Sequence, residues 1–156
     1  MYSLLKTVHI ISVILFLGNI ITGIFWMAHA NRTRDARLQA HAMAGVIRSD
    51  AYFTIPAVVL ILVTGIALAM SANLPIFGTG WIALALIAFG ISGLLFGVVL
   101  APMQRKLLHA AEVAGDQAEW PSAAYSRMTV QWEVVGIIAI LLPLAAVALM
   151  VFKPTG

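Results

Sequence analysis

The sequence predicts an all-α protein, a four-helix transmembrane bundle with short cytoplasmic amphipathic helices, and two observations lead to this fold class. Of the 156 residues, 62% are hydrophobic and only 10% are charged, whereas a soluble domain averages about 25% charged residues. The apolar residues also fall in four long blocks, and roughly 20 apolar residues suffice to cross the hydrocarbon core of a bilayer. We therefore expect a single integral membrane domain over residues 1–156, with the lipid bilayer as its main partner.

The four blocks predict membrane spans at about Leu4–Ala28, Ala51–Met70, Gly80–Ala101 and Glu133–Phe152. The first block is longer than the roughly 7–15 apolar residues of a secretory signal, so we expect it to span the membrane. Segments 29–50 and 104–115 are polar enough, with apolar residues at helical spacing, to predict amphipathic helices, and Pro121 is expected to open the return to the last span. Gly93 and Gly97 form a small-xxx-small pair, which favours close packing within the bundle over a dimer seam.

Basic residues are concentrated on one side of the predicted membrane. The two long loops contain Arg32, Arg34, Arg37, Arg48, Arg105, Lys106 and Arg127, whereas only Lys6 and Lys153 lie on the other side. The positive-inside rule then places both loops in the cytoplasm and both termini outside. The net charge of +3 comes with no clustered base-reading motif, so we expect no nucleic-acid partner.

The chain contains no cysteine. This excludes disulfides, thiolate metal sites, iron–sulfur clusters and covalently attached c-type haem. Any cofactor has to be held by histidine, methionine, oxygen ligands or packing alone.

His9 lies within the first apolar block, where an ionisable side chain is costly and usually faces the bundle interior. At 100° per residue, four further residues fall within about 80° of His9 on the helix wheel; they are Ser12, Phe16, Asn19 and Gly23. Lys6 lies one turn outward. This face predicts one wall of an internal site, whereas His41 and His109 sit on polar helix faces and are expected at the surface.

Several ligands suit such a site. A neutral imidazole is a good axial ligand for haem iron, and Lys6 is placed to reach a propionate. The alternatives are proton transfer, Cu(I) bound by His9 with Met70 and Met150, and a histidine that only hydrogen-bonds a neighbouring helix. Met70 also offers a second axial ligand to haem.

Arg127 and Glu133 frame the start of the last span, either as an interfacial pair or as the lining of a cytoplasmic entrance.

Short motifs in the order of the chain resemble the HemJ-type protoporphyrinogen oxidases, which are four-helix haem b proteins of the bacterial inner membrane. The resemblance is closer still to a group of predicted integral membrane proteins near HemJ and CopD. The motifs are "KTVHIISVILFLG" in the first span, "TIPAVVLILVTG" in the second, Arg127 and Glu133 before and within the fourth, and "VFKP" at its end. The resemblance implies that His9 ligates non-covalent haem b, and it adds Arg127 and Glu133 to the expected cofactor-binding residues.

Three positions depart from the HemJ pattern. Ala85 stands where the family has a lysine proposed to help oxidise the porphyrinogen, Phe96 near an expected histidine, and Trp132 at an expected asparagine. The resemblance therefore implies a haem b-binding redox or electron-transfer protein that exchanges electrons with quinone. Two alternatives stay open: a protoporphyrinogen IX oxidase, with a porphyrin as substrate, and a non-redox membrane module that handles copper or binds a partner, including a second copy.

Overall fold

The computed structural model describes residues 1–117 and 122–154, and Pro121 lies outside the described residues. The described residues are almost all helical and contain no strand. Its elements in chain order are α1 (Tyr2–Thr33), α2 (Ala36–Ser49), a first π segment (Asp50–Thr54), α3 (Ile55–Ser71), α4 (Gly80–Leu95), a second π segment (Phe96–Leu100), α5 (Ala101–Asp116) and α6 (Ala123–Phe152).

These elements form four continuous apolar helices of 32, 36, 37 and 30 residues, which confirms the predicted four-span bundle. At 1.5 Å per residue each is about 45–55 Å long, whereas the hydrocarbon core measures about 30 Å. The predicted amphipathic helices are therefore continuous with the spans and extend them beyond the membrane. We call the end that holds Tyr2 and Phe152 the termini end, and the end that holds the arginine-rich loops the basic end.

The corner between α1 and α2 is made by two adjacent residues. Arg34 adopts a left-handed conformation with φ 53°, which ends α1. Asp35 then caps α2, because its carboxylate accepts hydrogen bonds from the backbone N–H groups of Arg37 and Leu38. Such a cap satisfies donors that the first turn of a helix otherwise leaves unpaired.

Both π segments precede a proline. The first ends at Thr54, two residues before Pro56, and the second ends at Leu100, two residues before Pro102. A proline inside a helix lacks a backbone donor, and its ring clashes with the carbonyl four residues earlier. The wider π turn accommodates that clash without ending the helix, so spans two and three stay continuous.

The bundle consists of two helix pairs that meet mainly towards the basic end. α1 packs along α3, α4 packs along α6, and α2 packs along α5. A core near the basic end contains residues from all four spans, including Met27, Met43, Leu107 and Trp132. No Cα atom of α3 lies within 8 Å of α4, so the contact between the two pairs at the level of these helices is made by side chains, including Phe16 of α1 and Phe89 of α4.

The prediction that Gly93 and Gly97 bring another helix of the same bundle close is wrong. Both glycines are exposed, and a Cβ atom added at either position would meet nothing within 4 Å. The same holds for Gly90. This face of the third span is therefore open, because α4 uses its opposite side, with Ile82, Ala85 and Ser92, to pack in the bundle.

Two leucines distinguish packing at the basic end from exposure to lipid. Leu107 is fully buried at 0% exposure, whereas Leu94 is 67% exposed in the membrane-spanning part of α4. Leu107→Ala should lower the free energy of unfolding by about 2–5 kcal/mol because it leaves a cavity. Leu94→Ala should change it by less than about 0.5 kcal/mol. Thermal unfolding in detergent, followed by helical circular dichroism, measures both; equal shifts would contradict this packing.

Candidate functional site

His9 is half-buried between α1 and α3, and its tautomer follows from its hydrogen bond. Nδ1 lies 2.9 Å from the hydroxyl oxygen of Thr64. That hydroxyl also lies within hydrogen-bond distance of the carbonyl of Leu60. When it donates to this carbonyl, it accepts the N–H of the imidazole, which places the proton on Nδ1 and leaves Nε2 as the acceptor.

A glycine favours the close approach of the imidazole to α3. A Cβ atom at Gly65 would lie 3.2 Å from Cε1 of His9, closer than most such contacts come. Because Gly65 has no side chain, the ring lies against the backbone of α3 and reaches Thr64. The threonine–glycine pair thus sets the position of the His9 ring.

The other residues predicted near His9 have different surroundings. Ser12 is buried and donates its hydroxyl to the carbonyl of Val8, while Lys6 is exposed. Met70 is 69% exposed and lies six residues beyond Thr64, about 9 Å further towards the termini end. The structure therefore does not bring Met70 to His9.

A cavity of about 200 Å³ lies deeper in the bundle, between all four spans. Phe16, Asn19 and Gly23, which were predicted to share the His9 face, line it together with residues of both π segments. Phe16 packs against Phe89 of α4 with ring centroids 5.5 Å apart. Along α1 these residues begin seven positions from His9, about 10 Å away, so the cavity is a separate site.

Asp50 forms a hydrogen-bonded network at the wall of this cavity. Its Oδ1 accepts from the hydroxyl of Thr54 at 2.8 Å and from the amide of Asn19 at 3.2 Å, and its Oδ2 accepts from the amide of Gln104 at 2.9 Å. The carboxyl group is 7% exposed. Within the described ranges no cationic side chain pairs with it, so three neutral donors from three spans satisfy it.

Trp132 also lines the cavity, and its indole N–H is unpaired. The side chain is 4% exposed, and Nε1 is buried with no hydrogen-bond partner among the described residues. Most buried polar groups in proteins are paired, and each exception calls for an explanation. Trp132 lines the cavity with other atoms, because Nε1 itself has almost no accessible surface.

Glu133 belongs to a third location, at the basic end. It accepts a hydrogen bond from the amide of Asn31 at 3.1 Å, and Asn31 in turn accepts one from Gln39 at 2.9 Å. Arg127 is exposed. Asn31 lies 22 residues along α1 from His9, about 33 Å away, so the structure does not bring Glu133 or Arg127 to His9. His41 and His109 are exposed, which confirms their prediction as surface residues.

Sequence reasoning missed Asp50, Thr54, Gln104 and Trp132 as members of one site. Asp50 and Gln104 fell just outside the predicted spans, where polar side chains are ordinary. The signal that identifies them is the proline that follows each π segment, because π segments occur often at functional sites. Trp132 was considered only as a departure from a family pattern.

Comparison with known proteins identifies the family of the chain but no characterised relative. The sequence profile of a family described as a predicted integral membrane protein (DUF2269) matches residues 3–154. No curated protein and no solved structure matches the chain.

The network around Asp50 leads to a stability prediction. Asp50→Ala removes the acceptor of three donors and leaves them buried without a partner, so it should lower the free energy of unfolding by about 1–3 kcal/mol. Asp116→Ala, at an exposed residue near the end of α5, should change it by less than about 0.5 kcal/mol. Thermal unfolding of the purified protein compares them. Unchanged stability in Asp50→Ala would show that the carboxylate is not a structural acceptor.

Proposed function

The chain belongs to the family of predicted integral membrane proteins (DUF2269), and we propose that it is a b-type haem protein that transfers electrons in the membrane. The observation that carries the proposal is the hydrogen bond between Nδ1 of His9 and the hydroxyl of Thr64. A histidine that ligates a metal usually donates its other ring N–H to a second group, which sets the orientation of the imidazole. Thr64 accepts that N–H and leaves Nε2 available as a ligand.

The arrangement of the helix pairs is consistent with a planar cofactor at His9. The imidazole belongs to α1 and lies against α3, and neither helix has a Cα atom within 8 Å of α4. The cavity of about 200 Å³ at Asp50 is too small for a porphyrin, so we assign haem to the His9 level. Because the chain has no cysteine, the group is held without covalent bonds.

His9, Thr64 and Lys6 each have a specific role in this proposal. His9 Nε2 would bind the haem iron, Thr64 would hold the proton on Nδ1, and the exposed Lys6, one turn outward, would pair with a carboxylate at the membrane surface. Haem would supply the one-electron chemistry of its iron. Met70 would take no part, since it lies about 9 Å further along the bundle.

The haem proposal is tested by absorption spectroscopy of protein purified from haem-replete cells. The wild-type protein should show a Soret band that shifts on reduction with dithionite, and acidified organic solvent should extract the haem. His9→Ala should abolish the band, because it removes the axial ligand, while the matched changes His41→Ala and His109→Ala should leave it intact. A colourless, folded wild-type protein, or a band that survives His9→Ala, would overturn the proposal.

Thr64→Val separates ligation from packing at the same site. It keeps the shape of the side chain but removes the acceptor of the Nδ1 proton. We expect the Soret band to remain with roughly 10–100-fold weaker haem retention, as for other second groups that support metal-bound histidines. Retention equal to wild type would show that Thr64 does not position His9.

We also propose that the protein lies in a bacterial inner membrane with both termini outside. Seven of the nine basic residues lie in the two loops at the basic end, and the positive-inside rule favours a cytoplasmic location for them. Alkaline phosphatase fused after Gly156 should therefore be active, and phosphatase inserted between Asp116 and Ala123 should be silent. The reverse pattern would invert the orientation.

A further inference from the structure

Three cationic side chains of the second and third spans lie at one level of the bundle. Arg48 precedes Asp50 by two residues, and Arg105 and Lys106 directly follow Gln104. Because Gln104 donates a hydrogen bond to Asp50 at 2.9 Å, the three cations lie at about the same height. All three are exposed, whereas Asp50 and Gln104 are buried. We call Arg48, Arg105 and Lys106 the membrane-proximal cations.

The length of the first span places these cations at the level of lipid headgroups. Asn19 donates a hydrogen bond to Asp50 and lies 17 residues from Tyr2, where α1 begins, or about 25 Å away. The hydrocarbon core of a bilayer is about 30 Å thick. With the termini end at one surface of that core, the cations lie close to its other surface, where the phosphate groups of lipids are found.

The acidic residues of the same helices lie away from this level. The positions three and four residues from each cation, where helical ion pairs form, carry no acidic side chain. Glu112 and Asp116 are exposed on α5, but Glu112 lies six residues beyond Lys106, about 9 Å further from the membrane. Asp35 lies at the opposite end of α2 from Arg48. Positive charge therefore predominates at the membrane side of these two helices.

The cavity next to Asp50 begins at the same level and reaches the outside of the bundle. Ile55 and Val59 of α3 and Gly93 of α4 line it and are exposed. A Cβ atom at Gly93 would meet nothing within 4 Å, and no Cα atom of α3 lies within 8 Å of α4. The opening therefore lies between the second and third spans, which also carry the membrane-proximal cations.

The cavity presents apolar walls to a ligand. The neutral polar side chains in its lining donate hydrogen bonds within the protein, to Asp50 or, for Ser92, to a backbone carbonyl. Trp132 presents no N–H, because Nε1 has almost no accessible surface. Most of the other lining residues are isoleucine, valine, phenylalanine or leucine. These walls suit hydrocarbon better than a polar ring.

The size of the cavity suits part of one hydrocarbon chain. Its volume is about 200 Å³. Since roughly 150 Å³ is enough for an apolar protein cavity to bind benzene, with its six carbons, about eight carbons of a chain fit by the same measure. The rest of such a chain stays in the surrounding lipid.

We propose that the protein binds one anionic phospholipid from the leaflet at the basic end. Its phosphate group pairs with the membrane-proximal cations, and part of one acyl chain enters the cavity past Gly93. The charge of the cations selects an anionic headgroup, and the apolar cavity distinguishes a lipid from a soluble phosphate. No residue of the His9 level takes part, so the proposal is independent of haem.

Native mass spectrometry of the detergent-purified protein, titrated with defined lipids, tests the proposal. Dioleoyl phosphatidylglycerol carries one negative charge and should bind as a single, saturable lipid. Dioleoyl phosphatidylcholine has the same chains and no net charge, and should bind at least about fivefold more weakly, the effect of one cation near a membrane surface. Glycerol 3-phosphate, which has the phosphate but no chain, should not displace phosphatidylglycerol.

Two kinds of variant separate the headgroup from the chain. Arg48→Gln and Arg105→Gln each remove one positive charge and should weaken phosphatidylglycerol binding about fivefold, with phosphatidylcholine binding unchanged. Gly93→Leu fills the opening and should weaken the binding of both lipids, because they share the same chains.

Each kind of variant has a matched control. Arg32→Gln removes the same charge at an exposed residue of α1, but this residue lies 13 positions beyond Asn19, about 20 Å away, so binding should be unchanged. Gly90→Leu adds the same side chain at an exposed glycine that does not line the cavity, and should also bind normally. His9→Ala should bind phosphatidylglycerol as the wild type does, which separates this proposal from the haem proposal.

Four results would overturn the proposal once thermal unfolding has confirmed that the variants are folded. Equal binding of the two lipids would show that the cations do not select the headgroup. Equal losses in Arg32→Gln and Arg48→Gln would indicate an effect of total charge. Displacement by glycerol 3-phosphate would show that the cations bind free phosphates, and unchanged binding in Gly93→Leu would show that no chain enters the cavity.

Discussion

The hydrogen bonds that Asp50 accepts are the interaction on which the arrangement of the bundle depends. Packing in a bilayer gains little from the hydrophobic effect, because lipid is as apolar as the helices. Donors from Asn19, Thr54 and Gln104 meet one carboxylate, and they connect the first, second and third spans. Losing any donor leaves a charge less satisfied in a medium where desolvation is expensive. The spans are therefore held together at this level.

Away from that level the two helix pairs meet through side chains, such as Phe16 and Phe89. Next to Asp50 they leave a cavity of about 200 Å³. Towards the termini end α3 and α4 are separated, and α1 holds His9 against α3. The π segments contribute to this geometry, since they keep spans two and three continuous past Pro56 and Pro102 while placing Asp50, Thr54 and Gln104 around one point.

The sequence alone predicts the fold class and the face of α1 that points into the bundle. Both follow from local properties, namely long apolar blocks and helical spacing. His9, Phe16, Asn19 and Gly23 do share a face of α1 that points into the bundle. The periodicity of a single helix does not reveal depth, however, so residues spread over about 20 Å of α1 were grouped as one site. Which partner each residue meets is decided by the other spans: Thr64 for His9, Asp50 for Asn19 and Val46 for Gly23.

The glycines also show that a local sequence pattern does not reveal what a residue contacts in the bundle. Gly65 stands alone in its apolar helix, whereas Gly93 has Gly90 and Gly97 nearby, and neither pattern shows what the residue faces. Gly65 lies against the imidazole of His9, where a Cβ atom would be a tight fit, whereas Gly93 faces open space beside the cavity. The first glycine allows a close contact between helices, and the second leaves the surface of its helix open. The cavity begins about 10 Å from His9 along α1, so the two locations differ in the polar groups they present.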